Sequence, residues 1–285
     1  MDLKLSKQTR ITVLAVVLIA AILMIAVLPF TVPAALDLIQ VEQAKRIDKF
    51  YATGDPNASL ISTTRELVGF FFPLWTSLTM FAGMVLLVIA KAFYSGAKWA
   101  RALTLLCLSV PSAGGAYMTV PYLNFAKVGI PNGVWFVAVG LIAYFTVVFA
   151  TSATMKQKLI DAWVFLILGV TAAEAFSNGH AACRIVDGHF ARPHYAEGIF
   201  ILFPTMAIGW IATVLLFLAI YFVARRHLVG WYLAMMSGLG VMIMGFVTQT
   251  VRTATYDYLY QGLMGLAIIV TFMIPVIKAR MLEKE

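Results

Sequence analysis

Hydrophobic and polar positions fall in long blocks along this chain instead of alternating residue by residue. Apolar blocks cover 11–30, 67–90, 99–121, 133–152, 159–178, 199–224, 228–250 and 257–277, each bounded by charged or turn-forming residues. A helix of about 20 residues rises about 30 Å, the thickness of a bilayer's hydrocarbon core. Within lipid a helix satisfies its own backbone groups, so blocks of this length read as helices. The pattern predicts an all-α polytopic membrane bundle of about eight spans. The loops are too short for a separate soluble unit, so 1–285 reads as a single membrane domain.

Composition sharpens the class. Hydrophobic residues make up 62% of the chain and charged residues 12%, against roughly 25% charged in a soluble domain. A net charge of +8 would suggest nucleic acid in a soluble protein; in a membrane chain basic residues set topology and meet lipid headgroups. The bilayer, and no nucleic acid, is the expected partner. Loops on the side shared by the two termini carry thirteen Lys and Arg, those on the other side eight. By the positive-inside rule both termini are expected in the cytoplasm, with the chain in a plasma (inner) membrane. Lys4, Lys7 and Arg10 precede an apolar run from Ile11 to Leu28, longer than the 7 to 15 residues of a signal-peptide core, and the segment is read as a retained first span.

Between the first two spans, 34–52 has Leu36, Ile39, Ile47 and Phe50 near one helical face and Glu42, Lys45, Arg46 and Lys49 on the others. It reads as an amphipathic helix in the headgroup plane, ended by Gly54-Asp55-Pro56-Asn57; the other reading continues the first span past Pro33. Phe72-Pro73 and Phe203-Pro204 open spans followed by similar exits, at Lys91 with Trp99 and at Arg225 with Trp231. This hints at a parallel tandem repeat of two four-helix units, 11–152 and 159–278; chance similarity between apolar helices is the rival reading.

Small residues recur at helical spacing: Ser109, Ser112, Ala113 and Ala116 on the third span, Ala175 and Gly179 on the fifth, Ala234 and Gly238 on the seventh. They permit close backbone approach, so these spans are expected at the centre, and such faces also suit membrane-protein partners. Pro111-Ser112-Ala113-Gly114-Gly115 invites a kink or unwound turn.

Two constellations carry candidate chemistry. His180, Cys183, His189 and His194 fall close together after the fifth span, in an expected outer loop with Asp187 and Glu197. Imidazole and thiolate suit zinc or copper, although the spacing matches no standard site. Arg184 and Arg192 in the same stretch suit an anion or a headgroup. Glu174 is the sharpest single residue, with Thr171 and Asn178 on the same helical face. A carboxylate at membrane depth costs roughly 3 kcal/mol on insertion scales and tends to face a cavity, a partner or a proton path. Arg65, Arg184 and Arg252 are its candidate cations. Paired span histidines for haem are absent, as are HExxH, GxSxG and P-loop sequences, and no lysine sits midway along the last span for a retinal Schiff base.

These features imply a cavity bounded by the third, fifth and seventh spans and used for transport or recognition of a small molecule or ion, with Glu174, Asn178, Thr171 and Arg252 as the ligand or ion group. The alternatives are a membrane-embedded enzyme on a lipid or quinone-like substrate, and a non-catalytic subunit or assembly factor of a larger membrane complex.

Overall fold

The computed structural model describes residues 4–55, 57–188 and 199–282. These form ten helices: α1 Lys7–Ala26, α2 Leu28–Thr53, α3 Asn57–Tyr94, α4 Lys98–Phe125, α5 Asn132–Phe149, α6 Met155–Gly188, α7 Leu202–Ala224, α8 Leu228–Val251, α9 Asp257–Met273 and α10 Pro275–Leu282. Seven of them, α1 and α3 to α8, are long and apolar enough to cross a bilayer; α9 and α10, bent by 75° at their junction, make an eighth if taken together. The chain is a multi-pass helical membrane protein. Its outer surface agrees, because Phe30, Phe81, Val88 and Ile142 are each more than 65% exposed, a state that lipid and not water stabilises. The side on which α1 begins and α10 ends is here the terminal side, and the opposite one the far side.

α1 and α2 run along α3 in antiparallel register. A side chain at Gly83 would strike the Ala21 carbonyl, and one at Gly69 would meet Gln40. The turn at the top is built by Gly54 in the left-handed region (φ 68°) and by Asp55, whose carboxylate accepts from the Asn57 amide at 2.8 Å. Residues 34–52 therefore lie inside α2, which starts at Leu28 and passes through Pro33 without a break.

The small residues act inside the chain. Gly115 of α4 abuts Gly133 of α5, and Gly140 abuts Ser112; Gly209 of α7 meets the Ala175 carbonyl, and Gly179 meets the Trp210 ring; Gly238 meets Ile268 of α9, and Gly245 meets Gly262. The expected centrality holds for two of the three spans. In α4 and α6, 61% of the most apolar window is buried, against 39% in α8, which packs chiefly on α7 and α9. The Pro111 to Gly115 run does not unwind: α4 is continuous, with Pro111 and Pro121 inside it. Its glycines serve close approach instead, since a side chain at Gly114 would strike Trp75 at 2.8 Å.

A two-fold repeat is not shown. Pro73 lies deep inside α3, whereas Pro204 sits in the first turn of α7, and among the described residues the second half has no counterpart of α2.

Candidate functional site

A cavity of about 290 Å³ lies between α4, α5 and α6. Its walls are Ala113, Ala116, Val137, Leu141, Phe145 and Leu166, among other apolar groups, with Ser109, Ser112, Ser177, Tyr144 and Glu174 as its polar members. It is a cleft and not a sealed void: Val120, Leu166 and Val170 line it and are also 51%, 37% and 44% exposed on the apolar outer surface. The cleft therefore opens onto the apolar outer surface. The expected boundary of third, fifth and seventh spans is corrected here, because α5, the fourth span, supplies one wall and α8 supplies no lining residue. The physical reason is that the small residues of α8 are taken up by its two neighbours, Gly238 and Gly245 by α9 and Gly230 and Gly240 by α7.

Within the cleft most polar groups are already satisfied. Ser109, Ser112 and Ser177 donate to the carbonyls of Leu106, Leu108 and Ala173 in their own helices. Glu174 differs. One carboxyl oxygen accepts from the Asn178 side chain at 3.1 Å; that amide also donates to the Asp257 carbonyl at 3.2 Å and so ties α6 to the start of α9. The other oxygen has no hydrogen bond among the described residues. None of Arg65, Arg184 and Arg252 forms a salt bridge to Glu174 among the described residues. Thr171 shares its helix face, but it is fully buried with an unpartnered hydroxyl and does not line the cleft. Arg252 caps α8 at the far side, its amide donating to the Thr248 carbonyl.

The expected outer loop is corrected in part. His180 and Cys183 are on α6, which continues to Gly188. It stays helical because Ala182, Ile185 and Val186 pack with Leu202, Tyr258 and Leu60, and because Ser59 of α3 donates to the Gly188 carbonyl at 2.7 Å. His180 is 6% exposed, shares a 2.7 Å hydrogen bond with the Tyr117 hydroxyl, and is surrounded by Phe71 and Tyr117 rings. The Cys183 thiol donates to the Asp187 carboxylate at 3.2 Å, and both cysteines are free. Among the described residues no three His, Cys, Asp or Glu side chains converge to hold a metal ion. His189 and His194 lie outside the described residues.

One charged centre was missed by the sequence reading. Asp161, near the terminal-side start of α6, is 2% exposed and is held by two arginines. Arg280 of α10 meets it with two parallel bonds, Nε to Oδ1 at 3.2 Å and Nη2 to Oδ2 at 3.0 Å; Arg226, in the turn between α7 and α8, reaches Oδ2 at 3.2 Å. Arg226 also donates to the Arg280 carbonyl at 2.9 Å and adopts a left-handed φ of 58°, an uncommon conformation that the ion pair helps to hold. The signal was available: Asp161 falls two residues inside the block 159–178, and a carboxylate there needs a partner for the same reason as Glu174.

The fold thus defines a multi-pass membrane protein with a laterally open cleft. Compared with known protein families, with curated proteins and with solved structures, the chain matches none.

Proposed function

We propose that the chain recognises a lipid-like molecule taken sideways from the bilayer into the cleft between α4, α5 and α6. The observation that supports this is the pairing of apolar walls and a lateral mouth with one half-satisfied carboxyl group, Glu174. Sites for small molecules are largely apolar concavities with a few polar groups that fix orientation, and the cleft has that composition at the lower end of the usual size range. Its lateral mouth admits a bilayer-dissolved ligand without passage through water. Glu174 is the polar anchor, accepting a hydrogen bond from a hydroxyl or amine of the ligand, and Asn178 fixes its rotamer. Passage of an ion from side to side would need a continuous polar path, which walls of this composition do not favour. With the termini cytoplasmic, as the charge distribution supports, the Glu174 end faces the outer leaflet of a plasma membrane.

The test is a plug. A Cβ added at Gly169, which lines the cleft, meets nothing within 4 Å, so a side chain there starts in open space and Gly169→Phe puts its bulk into the cleft. Native mass spectrometry of the gently solubilised protein should show a bound lipid on the wild type and none on Gly169→Phe at equal folded yield. Identical lipid occupancy in the two proteins sinks the proposal.

A further inference from the structure

Arg184 lies beyond the cleft on the stripe of α6 that lines it. Leu166, Val170, Ala173 and Ser177 form the stripe of α6 that lines it, and Arg184 follows Ser177 by seven residues, about two turns or about 10 Å further toward the far side on the same face. Side chains on a helix lean toward its N-terminus, which for α6 is back toward the cleft mouth. Arg184 is half-buried, and its Nε is enclosed with no acceptor. Arg252, from the end of α8, and Asp257 lie within electrostatic reach of it. Neither arginine side chain has a hydrogen bond or salt bridge to any described residue.

Asp257 is the carboxylate within electrostatic reach of Arg184, and it offsets one of the two cations. Asp257 accepts from the Thr255 hydroxyl at 2.9 Å, Asp187 accepts from Cys183, and Glu174 is engaged by Asn178 about 15 Å below Arg184 along α6. Two guanidinium groups with one carboxylate in reach keep a net positive charge among the described residues, and an anion between them would offset it. Guanidinium is also the side chain best suited to the oxygens of a phosphate.

We infer that the molecule in the cleft is an anionic phospholipid, its phosphate held by Arg184 and Arg252 beyond the mouth and one chain lying between α4, α5 and α6. This rests on the proposed lipid recognition and adds the headgroup. The polar groups then match a lipid in order of depth. Phosphate meets arginine at the surface, a hydroxyl or amine of the head or glycerol region meets Glu174, and the chain meets the apolar wall. A lipid of this kind would enter from the far-side leaflet with no inversion.

The test uses delipidated full-length protein in neutral detergent and a fluorescent phosphatidylcholine as reporter ligand. Unlabelled phosphatidylglycerol should displace the reporter at a concentration about ten-fold lower than unlabelled phosphatidylcholine, a difference of the size that a charge-assisted headgroup contact supplies. Arg184→Gln combined with Arg252→Gln should abolish that preference while the reporter still binds; if the double variant does not fold, the preference in the wild type decides alone. Equal displacement by the two lipids overturns the headgroup inference and leaves the cleft reading intact. Displacement by inorganic phosphate alone, at concentrations comparable with the phospholipid, overturns it in favour of a free anion site. Failure of any lipid to bind, with Gly169→Phe indistinguishable from wild type, removes the cleft reading itself.

Discussion

At the terminal-side start of α6 the Asp161 carboxylate binds two guanidinium groups; toward the other end of the same helix, Glu174, Arg184 and Arg252 stay apart. Both regions bring carboxylate and arginine together on α6, yet only the first completes the ion pairs. The Asp161 centre joins α6, the α7–α8 turn and α10, and α10 makes few other contacts with the helices around it. Its charges are spent on assembly. At the far side the chain offers an incompletely bonded carboxyl group in the cleft and, further along, two arginines with no hydrogen bond or salt bridge from their side chains among the described residues. Charge without a bonded partner is costly at such a place, and the proposed lipid site would account for its retention there. The comparison separates charges that build the bundle from charges that the proposal assigns to a ligand.

The comparison breaks first at Asp161. Asp161→Ala strands two mostly buried arginines and should destabilise the protein by about 3 kcal/mol, read as a lowered unfolding temperature in detergent and loss of the α10 contacts to proteolysis. An unfolding temperature like that of the wild type would mean that the ion pairs assemble nothing. A smaller effect is expected at the buried Tyr117 to His180 bond. Tyr117→Phe keeps the ring packing against Phe71 and Phe176 and leaves the imidazole without that partner, at a cost of about 1 to 2 kcal/mol, again read by thermal unfolding. A neutral result there would assign His180 to packing alone.

Glu174→Gln sharpens the other side. The amide keeps the shape and can still bond Asn178, but loses charge and one acceptor. Stability should change by less than about 1 kcal/mol, since no cation is stranded, while lipid retention in native mass spectrometry falls. Destabilisation as large as that of Asp161→Ala would make Glu174 a builder like Asp161 and erase the distinction between the two regions.

Much of the fold was legible because a bilayer imposes length on apolar blocks: each of the eight blocks has its helix, from α1 through α9 with α10. What misled was polarity at a helix end. His180, Cys183 and Asp187 look like loop residues, yet α6 extends through them because its other face packs against Leu60 and Tyr258. A helix leaving the membrane and a loop carry the same polar residues, and periodicity alone does not distinguish them. Small residues were misleading in another way. Gly238 reports a close neighbour, α9, and not a central position. Glu174 was found because one buried charge stands out in an apolar block. The cleft was not, since it depends on how far α5 and α6 diverge, a tertiary quantity with no local sequence signal.

The smallest effect on the protein comes from asking which region faces out of the cell, because it needs only surface substitutions. Cys107 and Cys183 are both buried, and Cys183 is held by Asp187, so the native thiols report depth poorly. In a background with both replaced by serine, Ala254→Cys places a thiol in the exposed α8–α9 turn beside Arg252, and Ser95→Cys places one in the exposed α3–α4 turn on the terminal side. Exposed positions of this kind tolerate substitution within about 0.5 kcal/mol. With both termini cytoplasmic, a membrane-impermeant maleimide applied to intact cells should label Ala254→Cys and spare Ser95→Cys until the membrane is dissolved. The reverse pattern would turn the molecule over. The Asp161 centre would then lie outside the cytoplasm, and the arginines beyond the cleft would face the cytoplasmic leaflet, where anionic lipids are concentrated in many membranes. The distinction between assembly charges and charges assigned to a ligand would survive that inversion, but the leaflet supplying the ligand would change.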